Sequence, residues 1–176
     1  MSSHVRSQRE QLVAVLEAIP HPPGIQLRCW SEADFPAIQR LSALENWPTP
    51  NSRPEESLIS WQHSWPTLVV LEGENVIGFV RGLTDGEITT YIAELLIDPQ
   101  YQGKGLGRLL LEACHALHPH TRLDLISTEE ALSFYKKKGF RAVLVFLSGQ
   151  RLSGPLPAAV ARRASGRRRR GFCTPG

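Results

Sequence analysis

Apolar positions along this chain follow two rhythms, one helical and one alternating. From Val5 to Ile19 they fall at Leu12, Val15, Leu16 and Ile19, the spacing of one helical face. Pro20, Pro22, Pro23 and Gly24 then stop the helix and form a joint. Ile25, Leu27 and Cys29 alternate with other residues up to Trp30, which predicts a strand. Ser31 is placed to cap the next helix, with Asp34 three residues on in place of the usual Glu or Gln. That helix is expected to pack Phe35, Ile38, Leu41 and Leu44. A shorter one opens at Pro54, with Glu55 and Glu56 where carboxylates meet the positive end of the helix dipole.

The middle of the chain reads as strands. Thr67 to Leu71 and Val76 to Leu83 flank a hairpin loop at Glu72-Gly73-Glu74-Asn75. Thr84-Asp85-Gly86 turns into a third strand, Glu87 to Ile97, and turns this short make antiparallel neighbours. Beyond Pro99 a glycine-rich segment opens a helix from about Gly105 to Leu117, with Leu106, Leu109, Leu110 and Ala113 inward. Arg122 to Ile126, Glu129 to Lys138 and Phe140 to Leu147 continue as strand, helix and strand. From Ser148 the chain turns to Gly, Pro, Ala, Ser and Arg without apolar periodicity, which predicts a disordered tail. The expected class is α/β, a mixed sheet flanked by helices. The expected organisation is an N-terminal helix and joint over 1–24, a domain over 25–147 and an Arg-rich tail over 148–176. Architecture of this kind names no function.

Composition narrows the classes. A chain of 176 residues, 41% hydrophobic and 21% charged, suits one soluble domain with a substantial core. No apolar run approaches the roughly 18–20 residues of a membrane helix. The polar start, Met1 to Arg9, leads into no signal-like segment. Cys29, Cys114 and Cys173 are odd in number and widely spaced, neither a disulfide framework nor a zinc pattern, so a reducing, cytoplasmic setting is expected. His115, His118 and His120 cluster near Pro119 without a nearby carboxylate or cysteine pair, and read as surface histidines, with no metal expected.

The net charge of +3 is carried by the tail. Arg162, Arg163 and Arg167 to Arg170 supply six positive charges, and removing them leaves residues 1–161 at −3. The body therefore has no nucleic-acid footprint; recruitment of nucleic acid or an acidic partner would fall to the tail alone.

The candidate chemistry begins where the third strand ends, in Ala93-Glu94-Leu95-Leu96-Ile97-Asp98-Pro99-Gln100-Tyr101-Gln102-Gly103-Lys104-Gly105-Leu106-Gly107-Arg108. A loop with three glycines alternating over five residues can turn several N–H groups toward one anion, and the dipole of the following helix adds positive potential. Glycine permits close backbone approach to a diphosphate. No Gly-Lys-Ser/Thr follows, so this is not a P-loop, and the spacing does not satisfy the dinucleotide fingerprint. What remains is Gln-x-x-Gly-x-Gly, spelled by Gln102, Gly105 and Gly107. With its preceding strand and Asp98-Pro99, the segment resembles the acetyl-CoA-binding motif of the GNAT superfamily of N-acetyltransferases.

A second stretch supports the resemblance. Ala131 to Phe140 is similar to the family's helix ending in Tyr-x-x-x-Gly-Phe, here Tyr135, Gly139 and Phe140, with Gly139 closing the helix in a left-handed conformation. Phe79 to Gly86 is similar to small bacterial GNAT proteins of unassigned substrate, and the likeness spans about Gln26 to Phe146. It implies the GNAT acyltransferase fold, with a central, mostly antiparallel sheet flanked by helices. It implies acetyl-CoA as cosubstrate and a small-molecule or peptide amine as acceptor, and it allows a homodimer. Pyrophosphate contacts are implied at Gln102, Gly103, Lys104, Gly105, Leu106 and Gly107, extending to Arg108. Pantetheine and acetyl contacts are implied on the backbone of Leu95, Leu96 and Ile97. The family also splays this strand from its neighbour with a bulge, whose place the sequence does not mark. Where relatives often carry an Asn that contacts CoA, seven residues before the tyrosine, this chain has Thr128.

Catalytic roles follow from the same resemblance. Tyr135 is placed to protonate the departing thiolate, its alternative being a packing tyrosine. Aminolysis needs a neutral amine, hence a proton acceptor. Glu94, on the strand carrying the acetyl group, is the expected base; among Ile92, Leu95 and Leu96 an apolar setting would raise its pKa. Its alternatives are binding the cationic acceptor or facing solvent, with Glu45, Asp85 and Glu87 as weaker candidates for the base. Strand amides would stabilise the oxyanion. Lys136 to Lys138 form a solvated helix end that could meet the 3′-phosphate of CoA. Trp47, Trp61 and Trp65, with Pro48 and Pro50, either wall an acceptor site or pack helices on the sheet, packing being the expected role. An enzyme that transfers acetyl by direct attack in a ternary complex is the leading function; a CoA-binding sensor without turnover is its rival.

Overall fold

The computed structural model describes residues 13–127 together with residues 133, 135–137, 139 and 140. Its strands are β1 (Ile25–Cys29), β2 (Thr67–Glu72), β3 (Asn75–Thr84), β4 (Thr89–Ile97) and β5 (Arg122–Leu125). Among the described residues they form one sheet in the order β1-β2-β3-β4-β5. The first three pairings are antiparallel and β4 pairs with β5 in parallel. Short hairpins join β2, β3 and β4, whereas the parallel step to β5 requires a crossover, which a helix supplies.

The helices are α1 (13–18), α2 (Phe35–Leu44), α3 (Thr49–Ser52), α4 (Pro54–Gln62) and α5 (Leu106–Leu117). Alternation along the strands divides the core between the two faces of the sheet. Leu68, Val70, Val80 and Ile92 pack with Leu106, Leu109, Leu110 and Cys114 of α5 and Leu16 of α1. Val69, Leu71, Phe79 and Leu96 pack with Phe35, Ile38 and Leu41 of α2 and Trp61 of α4. Each fully buried aliphatic side chain here contributes roughly 2 kcal/mol of transfer free energy. Trp61, 1% exposed, sits 5.3 Å edge-on from Phe79 and 5.2 Å from Trp30. It is a packing residue, as expected.

Local expectations meet specific corrections. The Ser31 cap exists: Asp34 Oδ2 accepts from the Ser31 amide at 2.7 Å and from its hydroxyl at 3.0 Å, and both Asp34 oxygens bind the Arg28 guanidinium. Leu44 is not inward but 51% exposed, because α2 ends there, past the edge of the core. A short helix at Thr49–Ser52 is added to the elements read from the sequence; Pro50 lies in its first turn, where its missing N–H costs nothing. β4 starts at Thr89 rather than Glu87. Asp85 Oδ1 gathers the amides of Glu87, Ile88 and Thr89 at 2.8–2.9 Å, so those residues belong to the turn. The expected strand over 141–147 and the tail over 148–176 lie outside the described residues, and Phe140 itself is not in a strand.

Candidate active site

The site is built on β4, whose neighbours differ along its two halves. β4 pairs with β3 throughout, but with β5 only from Thr89 to Ile92. Beyond Ile92, among the described residues, the β5-side edge of β4 has no ladder partner. A bulge marks the same place: Arg81 pairs with Glu94 and Gly82 with Ile92, leaving Ala93 unmatched. An extra residue bends a strand and increases its twist, which turns β4 away from its neighbour. Leu95, Leu96 and Ile97 lie on this free-edged half. Leu95 pairs with Val80 and Leu96 with Phe79 on the other side.

At the end of β4 the chain turns through a single 3-10 turn, Pro99–Tyr101, capped by Asp98 Oδ1 on the Gln100 amide at 3.0 Å. Gln102 follows. Its side-chain amide donates to the Ile97 carbonyl at 3.1 Å and to Glu45 at 3.1 Å. Gly103 (φ +78) and Gly105 (φ +85) both adopt left-handed backbone, and Gly105 is the N-cap of α5. Leu106, Gly107 and Arg108 form the first helical turn, whose amides have no intrahelical acceptor. Apart from the flanking residues, no atom of the described residues lies within 4 Å of where a Cβ would stand on Gly103 or Gly105. The loop therefore offers bare backbone and a helix N-terminus together, an arrangement suited to a diphosphate. Lys104 is drawn aside, its ammonium 4.5 Å from the centre of the Tyr101 ring. Arg108 pairs with Glu112 at 2.5 Å. Arg108 and Lys137, with Glu112, His115, Leu123 and Phe140, line a cavity of about 540 Å³.

Glu94 does not occupy the apolar setting expected of it. Its Oε1 lies 2.8 Å from Arg81 Nη2, while Arg81 Nη1 donates to Ser64 Oγ at 3.1 Å. Ser64 Oγ donates in turn to the Ser60 carbonyl on α4 at 2.6 Å. Both members of the pair are largely covered, Arg81 at 16% and Glu94 at 26% exposure. Sequence reasoning missed Arg81, although a cation between Val80 and Gly82 in an apolar strand was the available signal. Of the other carboxylates, Glu45 is tied to Gln102. Asp85 is engaged by three backbone amides, which hold its carboxyl down to about 2. Its Oδ1 is thereby committed to the turn.

Tyr135 lies on a helical segment that ends as expected. The Gly139 amide donates to the Lys136 carbonyl and the Phe140 amide to the Tyr135 carbonyl, both at 3.1 Å, with Gly139 at φ +84. This is the Schellman pattern. The Tyr135 ring meets Phe140 edge-on at 5.6 Å and packs against the α5 side of the core. Burial pushes its hydroxyl above the ordinary value. Thr128 lies outside the described residues. Cys114 is buried, and burial pushes its thiol up to about 12, which removes it as a nucleophile. Trp65 donates its indole N–H to His118 Nε2 at 2.8 Å, so that histidine is engaged in a structural contact.

Residues 63–142 match the family model for the acetyltransferase (GNAT) domain. Over 67 residues the chain is 37% identical to glucosamine 6-phosphate N-acetyltransferase of Trypanosoma brucei brucei, covering 36% of this chain and 44% of that one. Over 72 residues it is 33% identical to GCN5-related N-acetyltransferase 2, chloroplastic, of Arabidopsis thaliana, covering 39% and 28%. The likeness thus spans less than half the length of these curated relatives. Among solved structures, an acetyltransferase of Trypanosoma brucei superposes with a TM-score of 0.57 at 25% identity, over 72% of this chain and 99% of that one. A GNAT-family acetyltransferase of Streptococcus pneumoniae shares the fold with a TM-score of 0.58 at 21% identity, over 72% and 99%. No helix among the described residues is long and apolar enough to cross a membrane.

Proposed function

We propose that this chain, whose residues 63–142 match the acetyltransferase (GNAT) domain, moves the acetyl group of acetyl-CoA to a primary amine by direct attack within a ternary complex. One observation carries the reading: the edge of β4 beyond Ile92, unpaired on the β5 side among the described residues, leads directly into a bare glycine loop at the N-terminus of α5. A thioester arm can pair along that edge while its diphosphate rests on the amides of Gly103 to Arg108. The open Cβ directions at Gly103 and Gly105 fit such a group.

When bound, acetyl-CoA supplies an activated carbonyl. The amine nitrogen attacks the carbonyl carbon, the carbon–sulfur bond breaks, and the thiolate leaves. In this reading the backbone of Leu95, Leu96 and Ile97 aligns the arm, Glu94 takes the proton from the amine and Tyr135 protonates the thiolate. The raised pKa of Tyr135 keeps that proton in place until the leaving group needs it. The three scattered cysteines and the buried thiol of Cys114 agree with action in the reducing cytoplasm.

Calorimetric titration with acetyl-CoA, followed by thiol release against a panel of amines, tests the proposal. The panel holds glucosamine 6-phosphate, lysine peptides and arylalkylamines. Saturable binding and turnover with one amine class are expected. The ion pair at Glu94 gives substance to a second reading, a CoA-binding module without turnover. Binding with no thiol release to any amine would favour it, and a folded protein that does not bind acetyl-CoA would end both.

A further inference from the structure

The pair across the bulge also assigns a residue that sequence motifs do not. We infer that Arg81 is a positioning residue: it holds the Glu94 carboxylate at the point where β4 bends, through a chain that starts on α4. This rests on the acetyltransferase reading and on Glu94 as its proton acceptor.

The geometry is specific. Arg81 and Glu94 are register partners, so their side chains leave the same face of the sheet one residue from Ala93, the unmatched residue of the bulge. The bulge disrupts the ladder next to Glu94, and at that point its carboxylate is held by the side-chain contact with Arg81. That contact is itself anchored: Ser60 carbonyl, Ser64 hydroxyl, Arg81 guanidinium and Glu94 carboxylate follow one another at 2.6, 3.1 and 2.8 Å. Ser64 is 7% exposed and Arg81 16%, so the chain is shielded from water along most of its length. Arg81 Nε is buried without a protein acceptor among the described residues. Arg81 thus gives up one hydrogen bond while placing its two terminal nitrogens on Ser64 and Glu94.

A planar guanidinium reaches two partners in fixed directions, which an ammonium does not. Holding a proton acceptor within a few tenths of an ångström of its working place is what proximity catalysis requires.

The test is a double-mutant cycle in single-turnover acetyl transfer, using the amine of highest rate in the panel, with acetyl-CoA affinity measured by calorimetry. Arg81→Met should lower the transfer rate about tenfold or more and leave acetyl-CoA affinity within twofold. In a Glu94→Gln background the same substitution should cost nothing further, because its target is gone. Arg81→Lys should restore part of the rate, and free guanidinium added to Arg81→Met should restore some of it. Ser64→Ala, which removes only the anchor, keeps the test available if Arg81→Met does not fold; a rate loss of about threefold that vanishes in the Glu94→Gln background is expected.

Equal losses in both backgrounds would make Arg81 a purely structural residue and overturn the inference. So would a wild-type rate in Arg81→Met. If Glu94→Gln transfers acetyl at the wild-type rate, the positioning role falls while the transferase reading stands. If the folded wild-type protein neither binds acetyl-CoA nor releases thiol with any amine, both fall together.

Discussion

The side-chain amide of Gln102 donates to the carbonyl of Ile97 at 3.1 Å, tying the glycine loop to the end of the strand whose edge lies free. That bond sets the distance between the two halves of the proposed cosubstrate site. It joins the backbone of Leu95 to Ile97, proposed to align the arm, to the loop proposed to hold the diphosphate. Glu45, the second acceptor of the same amide, comes from the end of α2 and couples the opposite face of the sheet to the loop.

Gly105→Val should abolish acetyl-CoA binding. Among the described residues nothing beyond its chain neighbours crowds a Cβ there, so the effect comes from the backbone and the ligand. A β-branched residue at φ +85 costs about 1–3 kcal/mol. The new side chain would also stand where a diphosphate must approach. Calorimetry should show an affinity loss of about 100-fold or more with a retained circular dichroism spectrum. Binding within threefold of wild type would move the diphosphate off this loop.

Glu94→Gln should slow transfer about 100-fold and remove the ascending limb of the pH–rate profile, as expected on loss of a general base. The amide keeps the shape but cannot accept the proton. Affinity for acetyl-CoA should stay within about twofold, since the cosubstrate contacts proposed above are to the backbone of Leu95 to Ile97 and the glycine loop. A profile superimposable on wild type would exclude Glu94 as the base.

Tyr135→Phe should lower turnover about 100-fold with acetyl-CoA affinity intact. Burial raises the Tyr135 pKa above its ordinary 10.0, so its proton is retained through neutral and mildly alkaline pH. No descending limb below about pH 10 should therefore belong to this residue. A wild-type profile that falls near pH 8 and loses that fall in the phenylalanine variant would contradict the assignment.

Much of this was legible in the sequence because the relevant signals are local. Glycines that alternate before a helix, a Ser-x-x-Asp cap and a Tyr-x-x-x-Gly-Phe helix end all act within a few residues, and each forms as read. What was not legible depends on pairing between strands. The bulge at Ala93 exists only relative to β3, since it is a mismatch between Arg81–Glu94 and Gly82–Ile92. The partner of Glu94 is likewise thirteen residues away in sequence and adjacent only after the hairpin closes. The expected apolar setting failed for that reason: Leu95 and, across the bulge, Ile92 pack on the other face, and although Leu96 shares the face of Glu94, the cross-strand neighbour Arg81 sets the environment of the carboxylate. Helix α3 was hidden by prolines that break helices in the interior but suit their first turn.

Asp85 provides a test of the hairpin that presents β4. Its Oδ1 accepts the amides of Glu87, Ile88 and Thr89, and these bonds hold its pKa near 2, below the ordinary 3.8. A depressed folded pKa means that the folded state binds the proton less readily than the unfolded chain. Its contribution to stability is therefore complete above about pH 4 and is lost as pH falls toward 2. Asp85→Asn keeps one acceptor oxygen but not the charge, and should unfold at lower denaturant concentration than wild type at pH 7. As pH falls from 4 to 2 the gap between the two proteins should narrow. Urea titrations at a series of pH values measure that gap directly. A gap that stays constant from pH 7 to pH 2 would show that the charge on Asp85 does not stabilise the turn.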